Sequence, residues 1–455
     1  MNYSPKPFTA YSFFYSASLA YYNVVLYLYS IAIQIASLAG HTKARLRHNG
    51  QRDWQRQLRE FTDSFDAPMP PFIWVHCASV GEFEQGRPVI EALRHHYPYC
   101  RIVLTFYSPS GYELRKNYAL ADYIAYLPLD TAANARFFIE NVQPQMVFFI
   151  KYEYWYHYLS ELHKRQIPTY LVSAIFRPEQ VFFKPWGILF KPLLSVFRQI
   201  FVQDERSKQL LQSLDVHRVS VTGDTRFDRV SKNAQHKQNL PVAEHFSANK
   251  TVIVAGSTWP PDEKCLMELL PLISGKTWGL VVVPHEIKPA AIAELYRQMA
   301  NIAPTVRYSE FAHANTKPLT PKEIEMLAFA KVLIIDNVGM LSNLYRYAHY
   351  AYIGGGFGRG IHNCLEAVVY GLPVFWGPNY TKFKEARDLI DLKAAQSVLT
   401  AGDIYQHLNK MQRGSPQYDH ICRVANQYVN GNTGSTAKII SFLIKQHPFL
   451  DNGNY

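Results

Sequence analysis

The sequence predicts an α/β protein of two doubly wound parallel domains, and three observations carry that expectation. At 455 residues the chain is long enough for two ordinary domains, each with its own core. Short apolar runs alternate with helical patterns in both halves, the mark of parallel βα units. Between the halves, Ser231 to Lys250 is polar and lacks periodicity, so the rhythm stops there and then restarts.

In the first half, strands are expected at Phe72–Ala78, Arg101–Phe106, Tyr123–Leu127, Met146–Ile150, Pro168–Ser173, Gln199–Gln203 and Arg218–Val221. The second half restarts with Thr251–Ala255 and continues with Gly279–Val283, Lys331–Ile335, Tyr350–Ile353 and Pro373–Trp376. Asn301 to Pro321 reads as a loop, and no internal repeat or low-complexity tract is visible. The expected organisation is a membrane-associated segment over 1–45, a Rossmann-like domain over 46–235 and a second over 250–430. A helical tail over 431–455 crosses back, through the amphipathic stretch Ser435 to Lys445. In such folds ligands bind outside the carboxyl ends of the strands, so a cleft is expected where those ends face one another.

The amino terminus is distinctive. From Pro7 to Gly40 there is no Asp, Glu, Lys or Arg, and Leu19 to Leu38 has about the length of roughly 20 residues that a bilayer span requires. Asn23, Gln34 and several tyrosines make it a marginal span that would also suit the interface, and a buried helix hairpin is the alternative. A cleavable signal is disfavoured, because only Lys6 precedes a long apolar stretch. Lys43, Arg45, Arg47, Arg52, Arg56 and Arg59 follow, which by the positive-inside tendency keeps the remainder cytoplasmic. The formal net charge of +11 points to anionic partners, whether nucleic acid, phospholipid or a phosphorylated substrate. Cys77, Cys100, Cys265, Cys364 and Cys422 are scattered without metal-like spacing and read as reduced thiols.

Chemistry concentrates after the expected strands. The stretch from Gly354 to Glu385 runs from a strand into a glycine-rich turn, then into a helix expected to open with His362 and Asn363 and to carry Glu366. Such a helix start offers free N–H groups, and a carboxylate there suits ribose hydroxyls, as in a pocket for a nucleotide-activated donor. Gly256, Ser257 and Thr258 end another strand and can hold phosphate oxygens, though an ordinary turn looks the same. Neither a P-loop nor a dinucleotide fingerprint is present. Pro284 and His285 follow a further strand, His285 being either structural or turned to the same cleft.

In the first half, Glu82 closes Ala78-Ser79-Val80-Gly81-Glu82 at a helix start. It can act as a general base, or merely favour the helix dipole. Glu84 is expected to be a solvated charge, and Glu153 to be partly buried and hydrogen-bonded. Arg226 can stabilise a departing phosphate or form an ion pair with Asp224 or Asp228. No Asp-x-Asp pair occurs, so no metal site is expected. Phe176 to Arg198 interleaves basic residues with Phe182, Phe183, Trp186 and Phe190. That pattern suits anionic lipid, single-stranded nucleic acid, or an amphipathic core helix.

Taken in order, ASVGE, SPSG (Ser108 to Gly111), YEYW, VTGDTRFD, AGST, VVVPHE, DNVGML (Asp336 to Leu341), GGGFGRGIHNCLEA and GP (Gly377, Pro378) resemble the Kdo (3-deoxy-D-manno-octulosonic acid) transferases of Gram-negative bacteria. These are inverting glycosyltransferases of the GT-B fold, and the resemblance covers nearly the whole chain. It implies that Glu82 is the general base, that Glu153 is a second functional carboxylate, and that Arg226 stands where the family has a lysine. It further implies that CMP-Kdo binds the second domain near Pro284, His285, Gly339, Met340, Leu341, His362, Asn363, Cys364, Leu365 and Glu366, with Ser257 and Thr258 close to its phosphate or sugar. The implied acceptor is a lipid A precursor at the cytoplasmic face of the inner membrane, among its phospholipids, with no cofactor, no metal and no nucleic acid. The chain departs from the family at Lys151 and Met340, where a glutamate is common, and at Ser173 and Ile175. A transferase using another nucleotide sugar, or a non-catalytic membrane-surface protein on the same fold, are the alternatives.

Overall fold

A computed structural model describes residues 12–66, 68–236, 238–273 and 277–447. Lys6, Pro7 and the outer ends of the segments expected over 1–45 and 431–455 lie outside the described residues. Two compact units are formed, one from residues 12–229 and 434–447, the other from 230–433.

The first unit holds β1 (Phe72–Cys77), β2 (Arg101–Phe106), β3 (Tyr123–Tyr126), β4 (Pro144–Ile150), β5 (Thr169–Ala174), β6 (Gln199–Val202) and β7 (Val219–Val221). They pair in parallel in the order β3-β2-β1-β4-β5-β6-β7. The second holds β8 (Thr251–Thr258), β9 (Trp278–Pro284), β10 (Thr305–Arg307), β11 (Val332–Ile334), β12 (Tyr350–Ile353), β13 (Val374–Trp376) and β14 (Ala395–Ser397). Their order is β10-β11-β9-β8-β12-β13-β14, again parallel. In each sheet the order reverses beside the first strand, between β1 and β4 and between β8 and β12.

All of β1 is buried, as a central parallel strand covered on both faces must be. Ile73, Val75 and Cys77 enter one apolar cluster, while Phe72 and Trp74 enter another on the opposite face. The helix Ser435–Gln446 adds Ile439, Ile440 and Leu443 to the first of these clusters. Its start is tied down by Asp228, whose carboxylate accepts from the backbone N–H groups of Gly434 at 2.5 Å and Thr436 at 2.6 Å.

Three expectations need correction. Ser231 to Lys250 is not an irregular linker, because helices Arg226–Gln235 and Pro241–Ser247 occupy most of it. Each is anchored by few apolar side chains, Phe227 and Val230 in one and Val242, Ala243 and Phe246 in the other, too few to show as periodicity. Asn301 to Pro321 contains β10 and the 3-10 segment Tyr308–Asn315. Phe176 to Arg198 forms 3-10 turns rather than a basic-aromatic surface: Phe182 is buried, Phe183 and Phe190 pack on the core, and only Trp186 of these four rings is exposed, at 70%.

Helix α1 (Ser12–Leu38) is long and apolar enough to cross a membrane. One stripe of it, Tyr15, Leu19 and Tyr22, packs against the core of the first unit. The Tyr22 hydroxyl donates to buried Asp130 at 2.6 Å, and Tyr15 and Tyr156 share a 2.8 Å hydroxyl contact. The other side leaves Phe14, Tyr21, Val24, Leu28 and Ile35 exposed. Helix α2 (Thr42–Gly50) follows, then α3 (Trp54–Thr62).

Beyond β12 and β13 two turns meet backbone to backbone. A methyl group at Gly377 would lie 2.6 Å from the Gly356 carbonyl carbon, closer than side-chain carbons approach backbone. Gly377→Ala is therefore expected to destabilise the second unit by about 1–3 kcal/mol, the range typical of overpacking. A denaturant midpoint unchanged from the parent would contradict that.

Candidate active site

Both order reversals carry the residues in question, one half-site in each unit. In the first, β1 ends at Cys77 and helix α4 (Val80–His96) opens almost at once with Glu82 in its first turn. The Ser79 backbone N–H donates to Glu82 Oε2 at 3.1 Å, so the carboxylate does cap its helix. Its surroundings go further than a cap. Burial, then the neighbouring Glu153 charge, push the Glu82 carboxyl up to about 8, against the opposing pull of Lys151 and of backbone N–H groups.

Glu153 follows β4 across the reversal and is 8% exposed. Its Oε2 accepts the indole N–H of Trp155 at 2.7 Å and faces His76 Nε2 at 3.2 Å. His76 is fully buried, and its Nδ1 lies 2.8 Å from the Thr105 hydroxyl, which accepts the Trp74 indole N–H at 2.8 Å. The Trp155 indole N–H also approaches His76 Nε2, at 3.2 Å, so indole, imidazole and the Glu153 carboxylate meet at one point.

Two other residues here hold conformations unusual for side chains other than glycine. Lys151 has φ +69° just past β4, and Ser173 has φ +51° near the end of β5. The Ser173 hydroxyl contacts Thr225 Oγ1 at 2.9 Å, and Thr225 donates to the Gln85 carbonyl at 2.5 Å.

Arg226 adopts the ion-pair geometry. Its Nε and Nη2 donate to Asp224 Oδ2 at 2.9 and 2.7 Å, and Gln85 donates to the same oxygen at 3.0 Å. Burial raises the Asp224 carboxyl, but the Arg226 charge and these hydrogen bonds outweigh it and hold it below the usual carboxylate value. The guanidinium is thus fixed in place rather than free. Burial raises the Tyr152 phenol, and the charges of Arg177, Glu82 and Arg226 all act on it, so Glu82 and Arg226 lie about one ring. Glu84, expected to be solvated, is instead paired with Arg115 at 3.0 Å and with Arg229, because its side of α4 packs inside the unit.

In the second unit, Ser257 has φ +55° within a bulged end of β8. Thr258 is buried and donates to Glu263 at 3.1 Å. The Gly354 backbone lies so close that a side chain there would strike the Ser257 carbonyl. Buried Asp262 binds the two turns together: it accepts from Trp259 N at 2.9 Å, Gly355 N at 2.8 Å and the Tyr352 hydroxyl at 2.8 Å. Sequence reasoning missed this residue. Its signal was a proline at the helix start with an aspartate two positions later, a capping arrangement.

Pro284 ends β9 beside Thr258, and the His285 N–H donates to the Thr258 carbonyl at 2.9 Å. The His285 ring stacks on both Trp259 and His362, with centroids at 4.7 and 4.3 Å. The Trp259 indole N–H donates to His362 Nε2 at 2.9 Å. Burial and then the neighbouring imidazole lower His362 to about 4, and burial lowers His285, so the pair is neutral and stacked.

The helix expected to open at His362 is shorter and starts later, at Leu365–Val368, with His362 and Asn363 in the loop before it. Cys364 and Leu365 are fully buried, so neither presents its side chain to a ligand. Asn363 accepts from Leu365 N at 3.2 Å and donates to Glu366 Oε1 at 3.1 Å, which orients that carboxylate. Gly339 has φ +94° with open space beside its Cα, mostly buried Met340 follows, and Leu341 reaches the Gly256 backbone. Among the described residues no cluster of three or more His, Cys, Asp or Glu side chains is arranged to hold a metal.

Comparison with known proteins places this arrangement. Residues 44–229 match the family described as 3-deoxy-D-manno-octulosonic-acid transferase. A 3-deoxy-D-manno-octulosonic acid transferase of Rickettsia bellii is 24% identical over 74% of this chain and 78% of its own length. One from Haemophilus influenzae is 21% identical over 86% of this chain and 90% of its own. Among solved structures, a UDP-GlcNAc 2-epimerase from Neisseria meningitidis shares the fold, with a TM-score of 0.57 at 16% identity, covering 82% of this chain and 100% of that one.

A pH dependence of stability follows from Glu82. An unfolded glutamate releases its proton near 4.5, whereas folded Glu82 keeps it up to about 8. Between those values the native state binds more protons, so stability contributed by this group falls as pH rises through the window. Glu82→Gln, which can still accept from Ser79, is expected to melt higher than the parent at pH 8.5, by a margin that shrinks toward pH 5. A margin independent of pH would refute the assignment.

Proposed function

The chain belongs to the Kdo transferase family and is a glycosyltransferase of the GT-B type, and from that premise we propose that it transfers Kdo from CMP-Kdo to a lipid A precursor at the cytoplasmic face of the inner membrane. One observation carries the mechanism: a buried carboxylate, Glu153, and a partly buried one, Glu82, sit at the β1/β4 reversal, and Glu153 raises the basicity of Glu82.

A base works best when its pKa lies near the working pH, because it must be both ionised and avid for a proton. Glu82 at about 8 meets that condition, while an ordinary glutamate would be a far weaker acceptor. In the proposed step Glu82 takes the proton of an acceptor hydroxyl, and the oxygen's electron pair forms the new bond to the anomeric carbon of Kdo. The bond from that carbon to the phosphate oxygen breaks, and its electrons leave with CMP from the opposite face, inverting the centre. Arg226, held rigid by Asp224, supplies fixed positive charge for the departing phosphate. On the donor side, the Ser257–Thr258 and glycine-rich turns clamped by Asp262 receive the phosphate and sugar. The neutral stack of His285 and His362, with Gly339 to Leu341, Asn363 and Glu366, receives the nucleoside.

Membrane attachment is assigned to α1, lying along the surface of the first unit with its free apolar face in the bilayer interface. Lys43, Arg45, Arg52, Arg56 and Arg59 follow it in sequence and suit anionic headgroups.

Transfer assays with CMP-Kdo and the lipid acceptor test this reading. Glu82→Ala is expected to lower kcat by at least about a hundredfold, the scale of general-base catalysis. The parent should show kcat/KM rising with pH along a limb centred near 8. Glu153→Gln removes the neighbouring negative charge, so the limb should move to lower pH. Near-parental turnover by Glu82→Ala, or a limb that Glu153→Gln leaves in place, would reject these roles.

A further inference from the structure

Between α1 and α2 lies a cavity of about 220 Å³ whose lining includes Tyr29, Ser30, Gln34, Arg47, His48 and Arg52. Arg47 is the unusual member, a guanidinium only 4% exposed. Its Nη1 donates to the Tyr107 carbonyl and its plane lies 3.6 Å from the centre of the Tyr107 ring. Its Nη2 is buried without a hydrogen-bond partner. Among the described residues no carboxylate pairs with Arg47, and the buried acid nearest the cavity lining in sequence, Asp130, is engaged by Tyr22 and by the N–H groups of His157 and Tyr158. A buried cation is ordinarily paired, since leaving it alone costs several kcal/mol.

We propose that this cavity binds a phosphate group carried on the glycolipid acceptor, with Arg47 as its principal ligand; the proposal rests on the acceptor reading above. A planar guanidinium with an unused edge matches phosphate oxygens, and Arg52 and His48 add donors at the mouth. Location favours a lipid-borne phosphate over a free one. The cavity wall on one side is α1, whose exposed apolar face suits acyl chains. Beneath Arg47, the Tyr107 ring lies 4.7 Å from that of Trp155, tilted by 31°, and the Trp155 indole N–H binds Glu153. A phosphate on Arg47 therefore fixes a sugar across the Tyr107–Trp155 surface, toward the two carboxylates.

The test uses the full-length protein with phosphatidylcholine vesicles carrying the acceptor glycolipid, either phosphorylated or stripped by phosphatase. Flotation binding and the KM for Kdo transfer are measured on both. For the parent, the phosphate should improve both by at least about tenfold, the scale of one charge-assisted bidentate contact. Arg47→Met should abolish that difference while leaving the stripped lipid unaffected, Arg52→Gln should reduce it about threefold, and inorganic phosphate should compete only in proteins retaining Arg47. Equal losses on both lipids would make Arg47 merely structural, and no phosphate effect in the parent would overturn the site. Should Arg47→Met fail to fold, an Arg52→Gln protein indistinguishable from the parent on phosphorylated lipid would overturn it as well. If the parent transfers no Kdo yet binds phosphorylated lipid through Arg47, the transferase reading falls and this site stands.

Discussion

Parallel strands whose order reverses leave two neighbouring loops running in opposite directions away from a sheet, and no helix can cover the gap between them. The two carboxylates and the glycine-rich turn of this protein lie at those two gaps. At the first, the loops after β1 and β4 deliver Glu82 and Glu153; at the second, those after β8 and β12 deliver Ser257, Thr258 and the glycine-rich turn. The constraint also explains the polar burial nearby. Backbone that leaves a sheet without entering a long helix needs other partners, and Asp262 and Asn363 supply them.

Two like charges brought together in a buried place oppose folding, and the protein tolerates the cost by surrounding each differently. Glu153 accepts the Trp155 indole N–H and has the His76 ring nitrogen 3.2 Å away. Glu82 has less, a backbone N–H and a nearby lysine, so it retains its proton to higher pH. The difference marks Glu82 as the carboxyl that burial and a neighbouring negative charge hold protonated to higher pH. Backbone strain collects in the same region, with Lys151 and Ser173 at positive φ near the carboxyl ends of β4 and β5.

Fully buried strands such as β1 and β9 were legible from sequence because a continuous apolar run bounded by turn residues has few other readings. β10 and β14 were not, since three residues carry no period and each is an edge strand. The placement of the candidate site was legible where residue type and strand end coincide, as at Glu82, Glu153 and the glycine-rich turn. It was illegible where function depends on partners distant in the chain. Nothing beside His76 in sequence indicates that it faces Glu153, and nothing beside Arg47 shows that it would be buried against Tyr107. The late start of the helix after Asn363 is of the same kind: Cys364 and Leu365 are drawn into the core, which delays the first helical turn.

Helix α1 shows how packing decides between two membrane postures that composition leaves equal. A spanning helix would have to carry its length into the bilayer, away from the unit it now covers. Doing so would strip Asp130, wholly buried and raised to about 6 by that burial, of its hydroxyl donor, and would break the contacts of Tyr15 with Tyr156 and of Asn23 with His157. Lipid tails offer nothing to replace those polar contacts. Lying flat keeps every one of them and still removes Val24, Leu28 and Ile35 from water. The docked posture also preserves the wall of the cavity around Arg47, so in the proposed reading the element assigned to the bilayer also shapes the proposed phosphate site.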